Sequence, residues 1–540
     1  MSMKISIVIG ICILAVSCFG NGLILKTAPI QDTILFSDTI QYHPVRIDKT
    51  NGAILPWFSS DPGISYDTIL LKLWNFWDKM ELDSNGLKYY MNHQVWKPDH
   101  DFRGIGGDQV SMALSSWTLL YAYTGNPAIV ENMKYMADTY LERSLSLPTD
   151  KWPNIPYPYN LDVHSGKFDG DMRNGIGYTQ PDKAGNFGYE LVNLYKITGE
   201  TKYLLAATRI ANTLMYNLVA GDDKISPLPF RVNAKTGETG SLFDNYFLVP
   251  GPIWKADNTS NWSGTMLLFE ALAKTGNESK DQYQQAFTTI LRWMKAYPLK
   301  TNLWGPFFED IPGWSDTQTN AITFAMFILQ HRDLFPNWQK DVKGILTWTH
   351  RVLGNKDYKK YKVEVMNEQT VYQVPGNSHS SRQASIELMF TQLSGDTTYK
   401  TNAIRTLNWA TYCVSSKGWN RYIRDDIWLT DGYGDFIRHF LRAMAAMPEL
   451  APSNKNRLLS SSSVVQHIKY DRNKISFITF DSQSEVVLRL TSKPNSITVS
   501  GKSISQLTQP EGDGYVWKEL DKGGIVRLKY AGGNEVVIEM

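Results

Sequence analysis

Cysteine is scarce. The 540 residues hold 3, at positions 12, 18 and 413. No disulfide framework can be built from so few, and Cys413 sits inside the helical pattern NWATYCV, so a catalytic cysteine is not expected either. CxxC and HExxH spacings are missing, which leaves a protein-built zinc site without support, and no cofactor is expected. Excess charge of one sign is missing too. Lys+Arg 55 against Asp+Glu 53 leaves a net charge of +2, too small a field to suggest nucleic acid or a polybasic partner surface. The opening apolar run, Ile5 to Val16, is too short to span a bilayer comfortably. With 42% hydrophobic and 20% charged residues, the chain reads as globular rather than disordered or multi-span. Aromatic side chains are plentiful, with 17 Trp and 28 Tyr. Such rings fill cores, and their faces also match the C–H face of a pyranose, so composition alone leaves both uses open.

The first residues, MSMKISIVIGICILAVSCFGNG, place Lys4 ahead of the apolar run and small residues after it, the layout of a signal peptide over 1–17. Ala15-Val16-Ser17-Cys18 resembles a bacterial lipobox, in which Cys18 becomes the lipidated first residue of the mature chain. Ala15 stands where leucine is usual, so simple cleavage nearby is the alternative. Either way the protein is expected to be exported, either lipid-anchored to a bacterial outer membrane or periplasmic. An N-terminal linker and extended segment follows over 18–57.

Internal repetition organises the next 400 residues or so. LLYAYTG, NLYKITG, FEALAKTG and MFTQLSG end at Gly125, Gly199, Gly276 and Gly395. Each is an apolar helical pattern stopped by a glycine suited to the left-handed position, and each is followed by a second amphipathic helix. FILQHRDLFPNWQKDVKGILTWTH is a fifth copy with Pro336 at the stop, and ISYDTILLKLWNFWDKM and DGYGDFIRHFLRAMAAM supply the remaining helices. The reading is mainly α: helices near 64–80, 108–124, 127–144, 184–198, 200–219, 261–275, 281–297, 318–332, 338–353, 382–394, 397–413 and 433–447, within a domain spanning 58–452. Even-numbered helices leave by tight turns but are entered through loops far longer than the usual helix connection. With the even helices as an inner ring, all the long loops meet at one mouth, where the inner-helix N-termini favour an anionic or oxygen-rich ligand. An open solenoid of helix pairs is the alternative, although it would show more uniform loops.

After Pro452 the pattern changes. SNKNRLLSSSS reads as a linker, and ISFITFD, EVVLRLT, SITVSG, YVWKEL, IVRLKY and EVVIEM alternate with period two between Gly, Asn and Asp turns. A small antiparallel β-sandwich over 453–540, packed against the helices, is expected.

Six helical hairpins, a lipoprotein-type leader and a C-terminal β domain together resemble the six-hairpin (α/α)6-toroid carbohydrate-active enzymes of Gram-negative polysaccharide degraders. The resemblance covers the chain from about residue 55 onward and is one of architecture. It implies a polysaccharide or oligosaccharide substrate. Toroids of this kind include glycoside hydrolases, uronate lyases and sugar epimerases, so the reaction type stays open.

The long loops carry the candidate chemistry. HQVWKPDHDFRGIGGDQ offers Trp96, His100 and Arg103, with Asp108 placed to cap the helix that follows. The loop before the fourth helix offers Trp152, His164 and Arg173; its FDGDMRNG lacks the ordered oxygens and closing Glu of a calcium loop. LWGPFFEDIPGWSDTQTNA sets Glu309 and Asp310 among Trp304, Phe307, Phe308 and Trp314. Aromatic surroundings favour a neutral carboxyl, which suits a general acid, although the same residues also describe a solvated acidic loop over a packed rim. VMNEQTVYQVPGNSHSSRQASIE supplies Glu368, Tyr372, Asn377, His379 and Arg382, and the last loop supplies Trp428 and Asp431, the latter also a candidate cap.

The leading reading is a glycoside hydrolase in which Glu309 is the general acid and Asp431 or Glu368 the second carboxylate. Arg103, Arg173 and Arg382 would bind hydroxyls or a uronate carboxylate, and Trp96, Trp152, Trp304, Trp314 and Trp428 would form stacking subsites. The runner-up is a uronate polysaccharide lyase, with Asn377 or Arg382 neutralising the carboxylate and His379 and Tyr372 as base and acid. A non-catalytic glycan-binding surface lipoprotein is the third.

Overall fold

Gly125, Gly199 and Gly395 stop their helices in the left-handed region, with φ of 70°, 73° and 76°, where any other residue would be strained. Gly276 lies outside the described residues. The computed structural model describes residues 34–93, 104–242, 254–275, 278–308, 313–423, 431–509 and 512–540, with backbone alone at 431–433. Its helices are α1 (Pro62–Asp78), α2 (Tyr89–Asn92), α3 (Gly107–Thr124), α4 (Pro127–Ser144), α5 (Pro181–Thr198), α6 (Thr201–Tyr216) and α7 (Ser263–Lys274) in the first half. The second half adds α8 (Lys280–Ala296), α9 (Pro298–Thr301), α10 (Gln318–Gln330), α11 (Trp338–Leu353), α12 (Asn377–Ser394), α13 (Lys400–Ala410) and α14 (Asp431–Ala446). Setting aside the single turns α2 and α9, these are the helices expected from the apolar pattern.

Helices α3, α5, α7, α10, α12 and α14 each pack on the next, and α14 returns to α3, closing an inner ring. The partners α4, α6, α8, α11 and α13 lie outside their hairpin mates, and α1 packs on α14, so the two ends of the helical region complete the sixth pair. The rings differ in the way the packing requires. Outer α8 buries Tyr283, Phe287, Ile290 and Met294, one stripe of an amphipathic helix. Inner α12 buries nearly every residue from Asn377 to Phe390 except Met389, polar ones included.

Three starts differ from expectation by three residues or more. α12 begins at Asn377 rather than 382, α5 at Pro181 rather than 184, and α13 at Lys400 rather than 397. The first turns of α12 and α5 are polar because they face other polar groups inside the ring, so they carry no apolar period for a pattern to reveal. Close approach also leaves little space between inner helices. A Cβ on Gly185 of α5 would lie 1.9 Å from Thr265 Oγ1 of α7. Gly185→Val is therefore expected to lower stability by about 1–3 kcal/mol through overpacking, read from the urea midpoint.

Strands Ile34–Ile40 and His43–Asp48 form a hairpin in the stretch expected to be extended. It braces the end of α13: Arg46 N donates to Tyr412 Oη at 2.8 Å, and the His43 ring stacks on Trp57 at 3.8 Å.

The C-terminal region is an antiparallel sandwich of two sheets. One runs Val465–Asp471, Lys474–Thr479, Glu535–Glu539, Ser496–Val499, Lys502–Ser503; the other Gly514–Glu519, Gly524–Ala531, Gln483–Leu490, Arg457–Ser461. The expected linker is thus partly a strand: Leu458 and Leu459 are buried, and Ser461 Oγ bonds Ser484 Oγ at 2.9 Å. The sandwich docks at the C-terminal ends of α3 and α5. Tyr470 Oη donates to Ala122 O at 2.7 Å, Tyr121 Oη to Gln466 O at 3.1 Å, and Gln466 Nε2 to Lys196 O at 2.9 Å. It therefore lies opposite the end where the long loops enter. Cys413 is buried and its thiol is pushed up by burial, which fits an inert core position.

Candidate active site

The N-terminal ends of the inner helices are stitched to one another by buried side chains. Between α5 and α7, Asn261 Nδ2 donates to Asp182 Oδ2 at 2.9 Å. Between α5 and the segment entering α10, Lys183 Nζ donates to Phe307 O at 2.8 Å and lies 3.6 Å from the Phe307 ring centre. Between α10 and α12, Gln318 Nε2 donates to Gln383 Oε1 at 3.2 Å, and Arg382 Nη1 to Thr319 Oγ1 at 2.7 Å and Gln318 Oε1 at 3.0 Å. Between α12 and α14, Arg382 pairs with Asp435, and between α14 and α3, Ser116 Oγ donates to Gly434 O. One rim thus carries Asp108, Asp182, Lys183, Glu368, His379, Arg382 and Asp435. The N-termini of α3, α5, α7, α10 and α12 have no side-chain cap at the N-cap residue, and several first-turn N–H groups are bonded within the chain, Gly107 N to Pro158 O, Gln318 N to Glu368 O and Ser378 N to Asn377 Oδ1.

His379, in the first turn of α12, is 2% exposed. Both ring nitrogens lack a hydrogen-bond partner among the described residues, and Nδ1 lies 3.8 Å from Glu368 Oε1. Burial, reinforced by the Arg382 guanidinium, pushes the His379 pKa down to about 3, so the ring is a neutral base at ordinary pH. Asp435 behaves oppositely. Burial opposes its ionisation, but Arg382 and Arg438, with His439 hydrogen-bonded at 3.0 Å, outweigh that and hold the carboxyl well below the usual range. Across the ring, burial pushes the Asp108 carboxyl up, while Lys183 pulls it back and Asp182 pushes it further. The rim therefore holds a neutral base, a fixed anion among cations, and a carboxyl biased toward its protonated form.

Several expected residues fall outside the described ones: Cys18, Trp96, His100, Arg103, Glu309, Asp310 and Trp428, together with the Asp431 side chain. Phe308, immediately before Glu309, is described, and its ring centre lies 5.7 Å from that of His379. Glu368 and Arg382 share the rim with His379. Tyr372 is half-buried in a short turn, where its carbonyl accepts from Val374 N at 3.0 Å. Asn377 is buried and donates to Asn420 Oδ1 at 2.6 Å, so it anchors the last loop. Trp304 is 0% exposed, against Phe324 and Trp348, and Trp152 is 4% exposed. Rings with no open face give a sugar nothing to stack on, so these two belong to the wall. Trp314 is half-buried over Gly305. Arg173 is half-buried, with its N–H on Asp171 Oδ1 at 2.9 Å. His164 stacks on His93 at 4.1 Å, and its carbonyl accepts from Asn92 Nδ2 at 2.9 Å, in the loop that flanks the rim. Asp108 is not the cap expected of it. The helix starts one residue earlier, with Gly106 at the N-cap, which puts the Asp108 carboxyl in the first turn facing the ring interior. Among the described residues no three His, Cys, Asp or Glu side chains are grouped to hold a metal ion.

Behind α12 a second histidine is clamped by two carboxylates. His350 of α11 meets Glu364 at 2.7 Å and Glu387 at 2.6 Å. Burial alone would favour the neutral ring, but Glu387 and Glu364 outweigh it and raise the pKa to about 10. The folded state holds this proton more tightly than the unfolded chain, so the clamp stabilises fully below pH 6.5 and its contribution fades as pH rises to about 10. Urea midpoints should show His350→Gln well below wild type at pH 6, with the gap closing near pH 10.

No protein-family model matches the sequence, and no curated protein matches it. Solved structures do match in fold. The cellobiose 2-epimerase of Spirochaeta thermophila is 13% identical over 71% of this chain and 96% of its own, with a TM-score of 0.54. A D-mannose isomerase is 9% identical over 72% of this chain and 100% of its own, at 0.53. A sugar epimerase from a ruminal bacterium is 14% identical over 70% and 98%, at 0.51. These likenesses show the fold alone: the chain is a six-hairpin α/α toroid.

Proposed function

We propose that this chain is an exported glycoside hydrolase, acting on a polysaccharide or oligosaccharide at the N-terminal rim of its inner helices. The observation that carries the reading is the meeting of Glu368, His379, Arg382 and Asp435 at one rim, with the Phe308 ring 5.7 Å from that of His379. Glu309 is the general acid that protonates the departing glycosidic oxygen, and Glu368 or Asp431 activates water or attacks C1. Arg382, held by Asp435, Gln318 and Thr319, keeps the floor of the site rigid and cationic. The sugar-active fold supports the substrate class. The leader supports export, with Cys18 as the lipid anchor.

Incubation with a panel of neutral and uronate-containing oligosaccharides tests the proposal. New reducing ends without absorbance at about 230–240 nm indicate hydrolysis, whereas that absorbance marks the unsaturated uronate of an elimination. Glu309→Gln should keep the fold and cut kcat by about 10²–10⁴-fold; a near-normal rate removes Glu309 from the mechanism. Elimination from a uronate is the second reading, and His379 favours it. Its ring nitrogens have no hydrogen-bond partner among the described residues and so are open to a carbon-bound proton, although a pKa of about 3 makes the ring a weak base.

A further inference from the structure

A cavity runs inside the ring from buried rim residues toward the sandwich. It has a volume of about 520 Å³, within the usual range for small-molecule sites, and its walls come from α3, α5, α7, α10, α12 and α14 with residues 458–465 of the sandwich. Exposure along its walls shows where it opens. At the N-terminal end Asp108, Asn261, Phe307 and Thr319 are buried. Down α10, Thr323 and Met326 are half-buried and Gln330 is exposed; down α12, Met389 is half-buried and Gln392 exposed. The cavity therefore opens at the C-terminal ends of α10 and α12, away from the rim.

The charged side chains that line it are Asp108, Glu190, Arg438 and Arg442, and burial biases the Asp108 carboxyl toward its protonated form. Asp435 is already committed to Arg382 and Arg438. Glu190 takes a bond from Asn193 Nδ2 at 3.1 Å, and burial raises its pKa to about 6. Arg442 is left with one long hydrogen bond among the described residues, to Ser115 Oγ at 3.5 Å. Burial and the neighbouring Arg438 lower its pKa to about 9, against the pull of Glu190 and Asp435 in the other direction. A guanidinium carries five donors in a fork that fits a carboxylate in two-point fashion, so most of its capacity is unused. Around it Ser115, Asn186, Asn193 and Thr323 offer donors and acceptors for hydroxyls, and Tyr189 offers a ring.

We propose that this cavity is a binding site for an acidic sugar, with the carboxylate on Arg442 and the hydroxyls on the surrounding amides and alcohols. The anion follows from the unmatched guanidinium; the choice of a sugar acid over another polyhydroxylated anion rests on the saccharide reading above. Glu368, His379 and Arg382 do not line the cavity, so an end product or a chain fragment can occupy it without meeting them.

Titration calorimetry on the full chain tests this, with D-glucuronate, D-galacturonate, D-glucose and sodium sulfate as probes. One of the uronates should saturate a single site, with glucose and sulfate weaker by about tenfold or more. Arg442→Gln should weaken uronate binding about tenfold or more, and Glu309→Gln should leave it unchanged. Gln392→Trp, at the exposed opening, should also weaken binding and keeps the test available if the arginine variant folds poorly. Uronate binding untouched by both Arg442→Gln and Gln392→Trp overturns the proposal, as does sulfate or glucose binding as tightly as uronate, or the absence of any binding. If Glu309→Gln abolishes turnover but leaves this binding intact, the two sites are distinct. Loss of uronate binding in Glu309→Gln alone places the acid at the rim and overturns the second site, whatever happens to the hydrolase reading.

Discussion

Asp435→Asn is expected to destabilise the protein by about 3–5 kcal/mol, the usual cost of leaving buried charges without their partner. The residue is 3% exposed and carries the only described carboxylate in contact with both Arg382 and Arg438, besides accepting from His439. Removing its charge leaves two guanidiniums facing each other across α12 and α14. Because the folded carboxyl ionises well below the usual range, its contribution is present above the ordinary aspartate pKa of about 3.8 and is lost as pH falls below it. The loss of urea midpoint in Asp435→Asn should therefore be full at pH 7 and shrink toward pH 3. A midpoint within about 1 kcal/mol of wild type at pH 7 would show that the arginines find compensation elsewhere.

Under the elimination reading, His379→Asn is expected to reduce kcat by about 10²–10⁴-fold while leaving the native fold in place; hydrolysis through Glu309 predicts a far smaller loss. The ring makes no hydrogen bond among the described residues, so its removal breaks none that holds α12. A pH signature separates a chemical role from a packing one. The folded imidazole stays neutral down to about pH 3, whereas in the unfolded chain it takes a proton near 6.5, so wild-type stability falls as pH drops between those values. His379→Asn should lose that part of the acid sensitivity. For the same reason the acid limb of the wild-type rate profile should reflect a carboxyl and not His379. Full activity in His379→Asn would confine the residue to packing and would remove the support for elimination.

The helical hairpins were legible because their outer members are amphipathic and their stops are glycines such as Gly125, Gly199 and Gly395. Position around the ring followed from the alternation of short and long connections. The polar interior was harder to read. In a helical pattern a charged residue such as Lys183, Glu190, Arg438 or Arg442 reads as solvent-facing, but an inner ring has a hollow centre, and there the polar stripe points inward. The same inversion hid the first turn of α12: NSHSSRQAS has no apolar period because its neighbours are Gln318, Thr319 and Asp435. Arg457–Ser461 was missed as a strand because its serines bond one another across strands and carry no hydrophobic alternation. Glu368, His379 and Arg382 come from one stretch, and the structure sets Glu368 in the bend after the short strand Val365–Met366, beside His379 in the first turn of α12 and Arg382 a turn further on. Trp304 and Trp152 were not distinguishable from stacking rings, because sequence does not say which face of an aromatic side chain is covered.

The central claim is that chemistry on a saccharide takes place at the N-terminal rim of the inner helices. A crystal structure of Glu309→Gln with a bound oligosaccharide substrate tests it most directly. The account predicts a glycosidic oxygen within hydrogen-bond reach of residue 309, with the sugar against Glu368 and His379. A substrate seated on the C-terminal sandwich or on the outer helices, with nothing at the rim, would contradict it.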